Sequence, residues 1–193
     1  PWTFRIPSWC NEAEIFLNNQ LLKKEKGGQL ITIERTWKNN DTIVLSFPMD
    51  INISRWASNS RTVERGPLVY ALKINEEWKK GVHPEAGEYF SVLPKSAWNY
   101  ALVEKQIKDP SSLVVNKQKL SGEFKWDLAN APFEIIAVAK KLPDWKLSEG
   151  ILYQPMGDRS GLYRGRVEEK ERKITLVPYG FTKLRIVAFP VVK

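Results

Sequence analysis

The sequence contains few of the side chains that enzymes use as metal ligands or nucleophiles. Its 193 residues include one histidine, His83, and one cysteine, Cys10. A single cysteine cannot form a disulfide within the chain, and one histidine with one distant cysteine cannot build a zinc site. Residues 7–11 offer no base or cation that would lower the pKa of the Cys10 thiol. The sequence therefore predicts a scaffold or binding module rather than an active site.

Longer motifs of catalysis and membrane insertion are missing as well. No apolar run approaches the roughly 20 residues that cross a bilayer, and no GxSxG elbow or Walker loop occurs. Gly157, Gly161 and Gly165 are spaced by four residues, which fits neither dinucleotide nor phosphate loops, so residues 157–161 are interpreted as turns. The acidic residues fall mostly in turns or on outward strand faces, and nothing pairs two of them as a glycosidase would.

The net charge of +8 raises the question of nucleic-acid binding. The basic excess is spread over both halves of the chain, and the densest run, residues 164–173, interleaves its bases with Glu168, Glu169 and Glu171. That pattern is typical of a solvated turn between strands. We therefore expect neither a nucleic acid nor a membrane as partner.

Apolar and polar residues alternate with period two along most of the chain, as in half-buried strands. Ile31, Ile33 and Trp37 share one predicted face, while residues 38–41 supply the turn chemistry of a hairpin. The pattern predicts strands over residues 13–18, 31–37, 42–47, 68–72, 90–93, 98–103, 112–116, 132–140, 174–178 and 184–189.

This spacing of short strands predicts an all-β fold with two consecutive antiparallel β-sandwich domains. Residues 75–88 are polar and carry Pro and Gly, which is typical of a domain junction, so the domains are predicted over residues 1–80 and 81–193. The chain opens inside an alternating pattern at residues 1–6. We expect the first domain to lack its first strand or strands and the chain to be a piece of a longer protein.

Aromatic residues are abundant, with 8 Trp, 6 Tyr and 8 Phe. Exposed rings can stack on sugar faces, whereas buried rings pack in a core. Trp37 aligns with Ile31 and Ile33 and is predicted to be buried. Trp98 and Tyr100 share one predicted strand face and are the candidate carbohydrate-binding residues, with core packing as the open alternative. His83 adjoins Pro84 and is expected to be an exposed ring rather than a general base.

Several sequence runs together resemble a known family. The runs are RIPSW at residues 5–9, RGPLVYAL at 65–72, WNYAL at 98–102 and LVPYGFTKLRI at 176–186. Their order resembles the C-terminal part of glycoside hydrolase family 127, the β-L-arabinofuranosidase-like proteins, over essentially the whole chain. Asn19 stands where the family usually has Gly, and Phe181 where Cys is frequent. Asn also tolerates the positive φ of a hairpin turn.

The resemblance implies an (α/α)6 barrel followed by two β-sandwiches. It places the family's catalytic cysteine, and the zinc held by cysteines and a glutamate, on the barrel upstream of residues 5–9. No catalytic or metal-binding residue is therefore expected in this chain, and no cofactor, since zinc is expected only in the barrel.

The sequence thus predicts a non-catalytic C-terminal β-sandwich region of a bacterial, polysaccharide-degrading glycoside hydrolase. Such a region would brace the missing barrel and border its cleft or a dimer interface. The expected partners are the upstream barrel, carbohydrate and a second copy in a homodimer, and family habit suggests a periplasmic or secreted protein. A stand-alone carbohydrate-binding module is the main alternative, and an immunoglobulin-like interaction module rests on fold analogy alone.

Overall fold

The structure, a computed structural model, describes residues 1–119, 123–148 and 151–193 and is built mainly from strands. The all-β prediction is confirmed. Within these residues no helix is long and apolar enough to span a membrane. The chain forms two compact units, one of Pro1–Asn52 with Arg65–Pro67 and one of Ile53–Glu64 with Leu68–Lys193.

The first unit contains two small antiparallel sheets. Its strands are β1 (Trp2–Arg5), β2 (Glu12–Leu17), β3 (Gln20–Lys26), β4 (Leu30–Ile33) and β5 (Ile43–Ser46). Strand β1 pairs with β4, and β2 lies between β3 and β5. The apolar core of this unit takes alternate residues from β2 and β4 and two residues from the segment between β1 and β2. It consists of Ile6, Cys10, Ala13, Ile15, Ile31 and Ile33. Trp37 lies beyond the end of β4, half-buried against this core.

Asparagine turns close the hairpins of the first unit, as the sequence predicts. Asn18 and Asn19 join β2 to β3 with φ of 50° and 65°, values that Asn adopts more readily than most residues. The Asn18 amide donates to Asp41 Oδ1 at 2.9 Å, and its carbonyl oxygen accepts the Thr42 N–H at 2.9 Å. The two turns at this end of the sheet therefore hold each other in place.

The second unit, with the strands that lead into it, is built around one sheet of eight strands. The strands are β6 (Ile51–Arg55), β7 (Arg61–Arg65), β8 (Leu68–Leu72), β9 (Glu76–His83), β10 (Gly87–Pro94), β11 (Tyr100–Val103), β12 (Val114–Lys117), β13 (Phe133–Lys141), β14 (Leu147–Ser148), β15 (Ile151–Leu152), β16 (Glu171–Pro178) and β17 (Val191–Val192). The sheet runs β17-β11-β13-β16-β8-β7-β6, with β12 also on β13, while β9–β10 and β14–β15 form separate hairpins.

Strand β13 supplies the centre of the second core. Ile135, Ala137 and Ala139 alternate along it and are fully buried. A second layer includes Leu142 and Trp145, which pack with residues of β11 and β17. The β13 residue that packs against this second layer is Val138, which lies on the opposite face of the strand from Ala137 and Ala139.

One edge of β13 is shared by two strands. Strand β11 pairs with its C-terminal part through Leu102 and Ala139, and β12 pairs with its N-terminal part through Val114 and Ile136. The helix α1 (Glu104–Lys108) follows β11 directly. Its buried Gln106 fills the gap, because the Val138 N–H donates to Gln106 Oε1 at 2.6 Å. A side chain thus takes the place of a missing strand residue.

The predicted turn at residues 157–161 is confirmed. The Gly161 N–H donates to the Asp158 carbonyl at 2.9 Å, and Gly161 has a φ of 86°, which favours glycine. The Asp158 carboxylate accepts from the Ser160 N–H at 2.8 Å and from Arg164 Nε at 2.6 Å. The Ser160 hydroxyl and then Arg164 hold the pKa of Asp158 far below its usual range.

Several details differ from the sequence predictions. Residues 76–94, which overlap the expected junction at residues 75–88, form the β9–β10 hairpin, and residues 184–189 form a single bridge, from Phe189 to Arg61, rather than a strand. The strand predicted over residues 90–93 lies within β10, but β9 is not among the predicted strands, because most of its side chains are exposed and its sequence shows no clear alternation of apolar and polar residues. Strand β11 also pairs in parallel with β17, within a fold predicted to be antiparallel. The two-domain division at residue 80 stays a prediction.

We expect Gln106→Met to destabilise the chain by about 1–3 kcal/mol, because it keeps the side-chain volume but leaves the Val138 N–H without an acceptor. Lys108→Met is the control, since it removes an exposed ion pair with Glu104, and it should cost less than about 0.5 kcal/mol. Urea unfolding measures both free energies. Equal losses of unfolding free energy in the two variants would show that the Gln106 hydrogen bond stabilises the chain no more than the exposed ion pair does.

We expect Asp158→Asn to lower the melting temperature at neutral pH. A depressed folded-state pKa contributes stability above the ordinary value of 3.8, and this contribution is lost as the pH falls through the folded value. The difference in melting temperature between Asp158→Asn and the unmodified chain should therefore shrink below about pH 3.8. Glu85→Gln, in the exposed turn of the hairpin, should change little at any pH. If the melting temperature of Asp158→Asn stays below that of the unmodified chain by the same amount down to strong acid, the ionisation of Asp158 does not contribute to stability.

Candidate functional site

The two candidate residues from the sequence do not form a platform on one strand face. Trp98 precedes β11, and the Tyr100 N–H donates to the Trp98 carbonyl at 3.0 Å, which closes a tight turn rather than extending a strand. The half-buried Trp98 ring packs edge-on against Trp145, with centroids 5.5 Å apart. The buried Trp145 donates its indole N–H to the Tyr153 carbonyl at 2.9 Å. The carbohydrate role of Trp98 and Tyr100 stays a prediction.

A shallow groove of about 410 Å³ lies beside Trp98. Its wall includes Asn99, but the Asn99 amide already donates to the Leu142 carbonyl at 2.7 Å. The Leu142 N–H in turn donates to the Asn99 carbonyl at 2.8 Å. These bonds attach the turn before β11 to the end of β13, so they serve the fold.

The surroundings of the single histidine and the single cysteine indicate roles in the fold rather than in catalysis. His83 is exposed, and its Nδ1 accepts the backbone N–H groups of Glu85 and Ala86, both at 3.2 Å. Cys10 is 1% exposed, and burial raises the pKa of its thiol, with Asp50 adding to the rise. A thiol of this kind is a poor nucleophile at neutral pH. The described residues contain no group of three or more His, Cys, Asp or Glu that could hold a metal ion.

The most exposed tryptophans are ones that the sequence did not single out. Trp56 is 62% exposed and Trp126 is 63% exposed. Trp126 leans on Phe181, with ring centroids 4.7 Å apart, and lies over Gly180. Trp56 lies at the edge of a groove. The period-two pattern does not report this exposure, because Trp56 follows the end of β6.

The Trp56 ring is held in one orientation by hydrogen bonds. Its indole N–H donates to Ser54 Oγ at 2.8 Å, and the Ser54 hydroxyl donates to Glu64 Oε1 at 2.7 Å. Its backbone N–H donates to the Ser60 carbonyl at 3.0 Å. The ring is therefore an exposed but positioned aromatic surface.

The backbone after Trp56 is also constrained. Ser58 and Asn59 have φ of 56° and 57°, the left-handed region that non-glycine residues seldom occupy. The Asn59 amide donates to the Asp158 carbonyl at 2.8 Å, and the Gly157 N–H donates to the Ser58 carbonyl at 2.9 Å. The turn at residues 157–161 therefore supports this segment.

We call the adjoining cavity the Trp56 groove. It has a volume of about 470 Å³ and is lined by Trp56, Ala57, Ser60, Thr62, Glu64, Val69, Gln154, Val187 and Ala188. Thr62 and Glu64 alternate along β7 and so point to one face of the sheet. The Nε2 atom of Gln154 is buried and has no hydrogen-bond partner among the residues that the structure describes. The groove thus combines an apolar wall, a carboxylate and an amide donor without an acceptor.

Comparison with known proteins gives a match to a family model and a match to a solved structure. Residues 1–49 match the family model described as "Beta-L-arabinofuranosidase, GH127 middle domain". A solved structure described as "Glycoside hydrolase" shares the fold with a TM-score of 0.57 and 22% sequence identity. The alignment covers 99% of this chain but only 27% of that one. No curated protein sequence matches significantly. The resemblance to glycoside hydrolase family 127 that the sequence predicts is confirmed by the family match over residues 1–49, and the solved structure shows a shared fold along the whole chain.

Proposed function

We propose that this chain is a non-catalytic β-sandwich region of a longer, family 127-like glycoside hydrolase, where it braces an (α/α)6 catalytic barrel. The family match and the 27% coverage of a glycoside hydrolase structure support a place within a longer hydrolase. Any zinc of that hydrolase would lie on the barrel. The observation that carries the bracing role is the uncovered apolar face of the β9–β10 hairpin.

This face combines alternate residues from both strands. In the ladder, Trp78 lies opposite Val92, Lys80 opposite Phe90 and Val82 opposite Glu88. Trp78 is 52%, Val82 71% and Phe90 60% exposed, and the Trp78 and Phe90 rings meet edge-on with centroids 6.1 Å apart. A two-stranded hairpin is marginally stable by itself, and contiguous exposed apolar groups mark an interaction surface. The face is therefore suited to contact with another protein surface.

The charges on the same face are neutralised. Lys80 Nζ lies 2.6 Å from Glu88 Oε1, so the charged groups pair across the two strands. A face without excess charge fits a lasting apolar contact better than a contact steered by charge. This favours a permanent neighbour such as a domain of the same protein.

The opposite face of the hairpin is partly covered by its own side chain. Tyr89 lies opposite Gly81, and a Cβ on Gly81 would lie 2.4 Å from the Tyr89 ring carbon Cζ. The ring therefore lies flat on the strand at that point. This difference between the faces supports docking through the Trp78–Phe90 face.

The base of the hairpin is firmly attached. The Glu76 carboxylate accepts the Lys183 N–H at 2.7 Å and the Trp78 indole N–H at 3.2 Å. The Lys95 N–H donates to the Asn75 carbonyl at 2.7 Å, and the Asn75 N–H donates to Ser96 Oγ at 2.9 Å. A rigidly anchored projection can transmit support between two domains. A stand-alone carbohydrate-binding module, the alternative from the sequence, would leave this face uncovered.

We expect the purified 193-residue chain to hydrolyse no arabinofuranoside. The reason is the catalytic machinery that the family resemblance places on the barrel. Release of nitrophenol from nitrophenyl β-L-arabinofuranoside measures the rate, with an intact family 127 enzyme as the positive control. Turnover that co-purifies with the chain would overturn the proposal.

We expect the double variant Trp78→Ser, Phe90→Ser to weaken binding to the separately expressed barrel by about tenfold or more, because it removes two aromatic anchors of the contact. Tyr89→Ser, an exposed aromatic on the opposite face, is the matched control and should bind nearly as well as the unmodified chain. Biolayer interferometry measures the affinities.

Circular dichroism melts of the variants accompany this measurement, so that loss of folding is separated from loss of binding. Equal affinities of the double variant and the unmodified chain would contradict docking through this face. If the unmodified chain self-associates with rising concentration and the double variant does not, the face binds a second copy of the chain. That result would also contradict docking on the barrel.

A further inference from the structure

The Trp56 groove offers a flat aromatic surface whose side chain is already ordered before a ligand binds. The Trp56 ring is held by Ser54 and Glu64, so a ligand that stacks on it does not have to order it. The Trp56 residue is nevertheless 62% exposed, so much of its surface is accessible to a ligand. Such a surface complements the apolar C–H face of a sugar ring.

The polar groups of the groove complement hydroxyl groups. Gln154 Nε2 is a buried donor that has no acceptor among the described residues, and a buried donor left in this state costs free energy. A ligand oxygen in the groove would remove that cost. Glu64 lines the same groove and supplies carboxylate oxygens as acceptors. A donor and an acceptor in one groove match a sugar, whose hydroxyls both donate and accept.

The remaining lining residues restrict the charge of the ligand. Val69, Val187 and Ala188 make the wall mainly apolar, and Glu64 is the ionisable side chain among the lining residues of the described chain. A carboxylate repels phosphates and uronates, whereas a purely apolar ligand would leave Gln154 unpaired. The volume of about 470 Å³ lies within the range of small-ligand sites.

We infer that the Trp56 groove binds a neutral saccharide, with a sugar ring stacked on Trp56 and hydroxyls bonded to Gln154 and Glu64. This site is distinct from the predicted pair Trp98 and Tyr100. It is also independent of the proposed bracing role, because none of its lining residues belongs to the β9–β10 hairpin. A negative result for either proposal therefore leaves the other intact.

Isothermal titration calorimetry of the 193-residue chain tests the inference with neutral oligosaccharides from arabinan, xylan and galactan. Oligogalacturonate serves as the anionic comparison. At least one neutral oligosaccharide should bind, and oligogalacturonate should not. Trp56→Ala should weaken that binding by about tenfold or more, since it removes the stacking surface. Absence of binding by every neutral oligosaccharide would overturn the inference.

A matched variant locates the site. Trp126→Ala removes an equally exposed indole outside the groove and should leave the affinity unchanged. A larger loss in this variant than in Trp56→Ala would place the sugar elsewhere and contradict the inference.

Gln154→Met separates a binding role from a structural one. Because Gln154 Nε2 has no partner in the described chain, its replacement should not lower the melting temperature, yet it should weaken saccharide binding by about tenfold. A lower melting temperature with unchanged affinity would show that Gln154 serves only the fold, and would overturn its part in the site.

Discussion

The second unit depends on strand β13, which is hydrogen-bonded along both edges. Strand β16 occupies one edge, while β11 and β12 share the other. A strand in this position must leave no buried N–H unpaired, and the gap between its two partners is closed by Gln106. The short helix α1 is therefore part of the sheet's hydrogen bonding rather than a mere connection.

The aromatic residues divide into two groups by position in the fold. Trp145 and Trp98 pack on one another within the second core, where their contribution is to stability. Trp56 and Trp78 lie beyond the sheet or on a hairpin with no buried face, and they remain exposed. The same residue type thus serves packing in one place and presents a surface for contacts in another. The proposed docking face and the proposed saccharide site both come from the second group.

Polar side chains position this exposed group. The Trp56 ring is oriented by Ser54 and Glu64, and the segment after it is supported through Asn59 by the turn that contains Asp158. Trp78 is oriented by Glu76 at the base of its hairpin. The indole N–H is thus linked to a carboxylate directly in Trp78 and through the Ser54 hydroxyl in Trp56, and a ring fixed in this way suits recognition.

The sequence by itself determined the all-β class, the asparagine hairpin, the strand at Leu68–Leu72 and the family resemblance, because these follow from period-two alternation, local turn chemistry and ordered motifs. Only the tertiary structure decided which tryptophans are exposed. Exposure depends on what packs against a residue, and Trp98 meets Trp145 from 47 residues further along the chain. Residues 184–189 alternate like a strand, but their backbone pairs at separate points: the Leu72 N–H donates to the Ile186 carbonyl, and Phe189 exchanges two hydrogen bonds with Arg61. A strand needs a continuous ladder with its neighbour, and local sequence does not determine whether one forms.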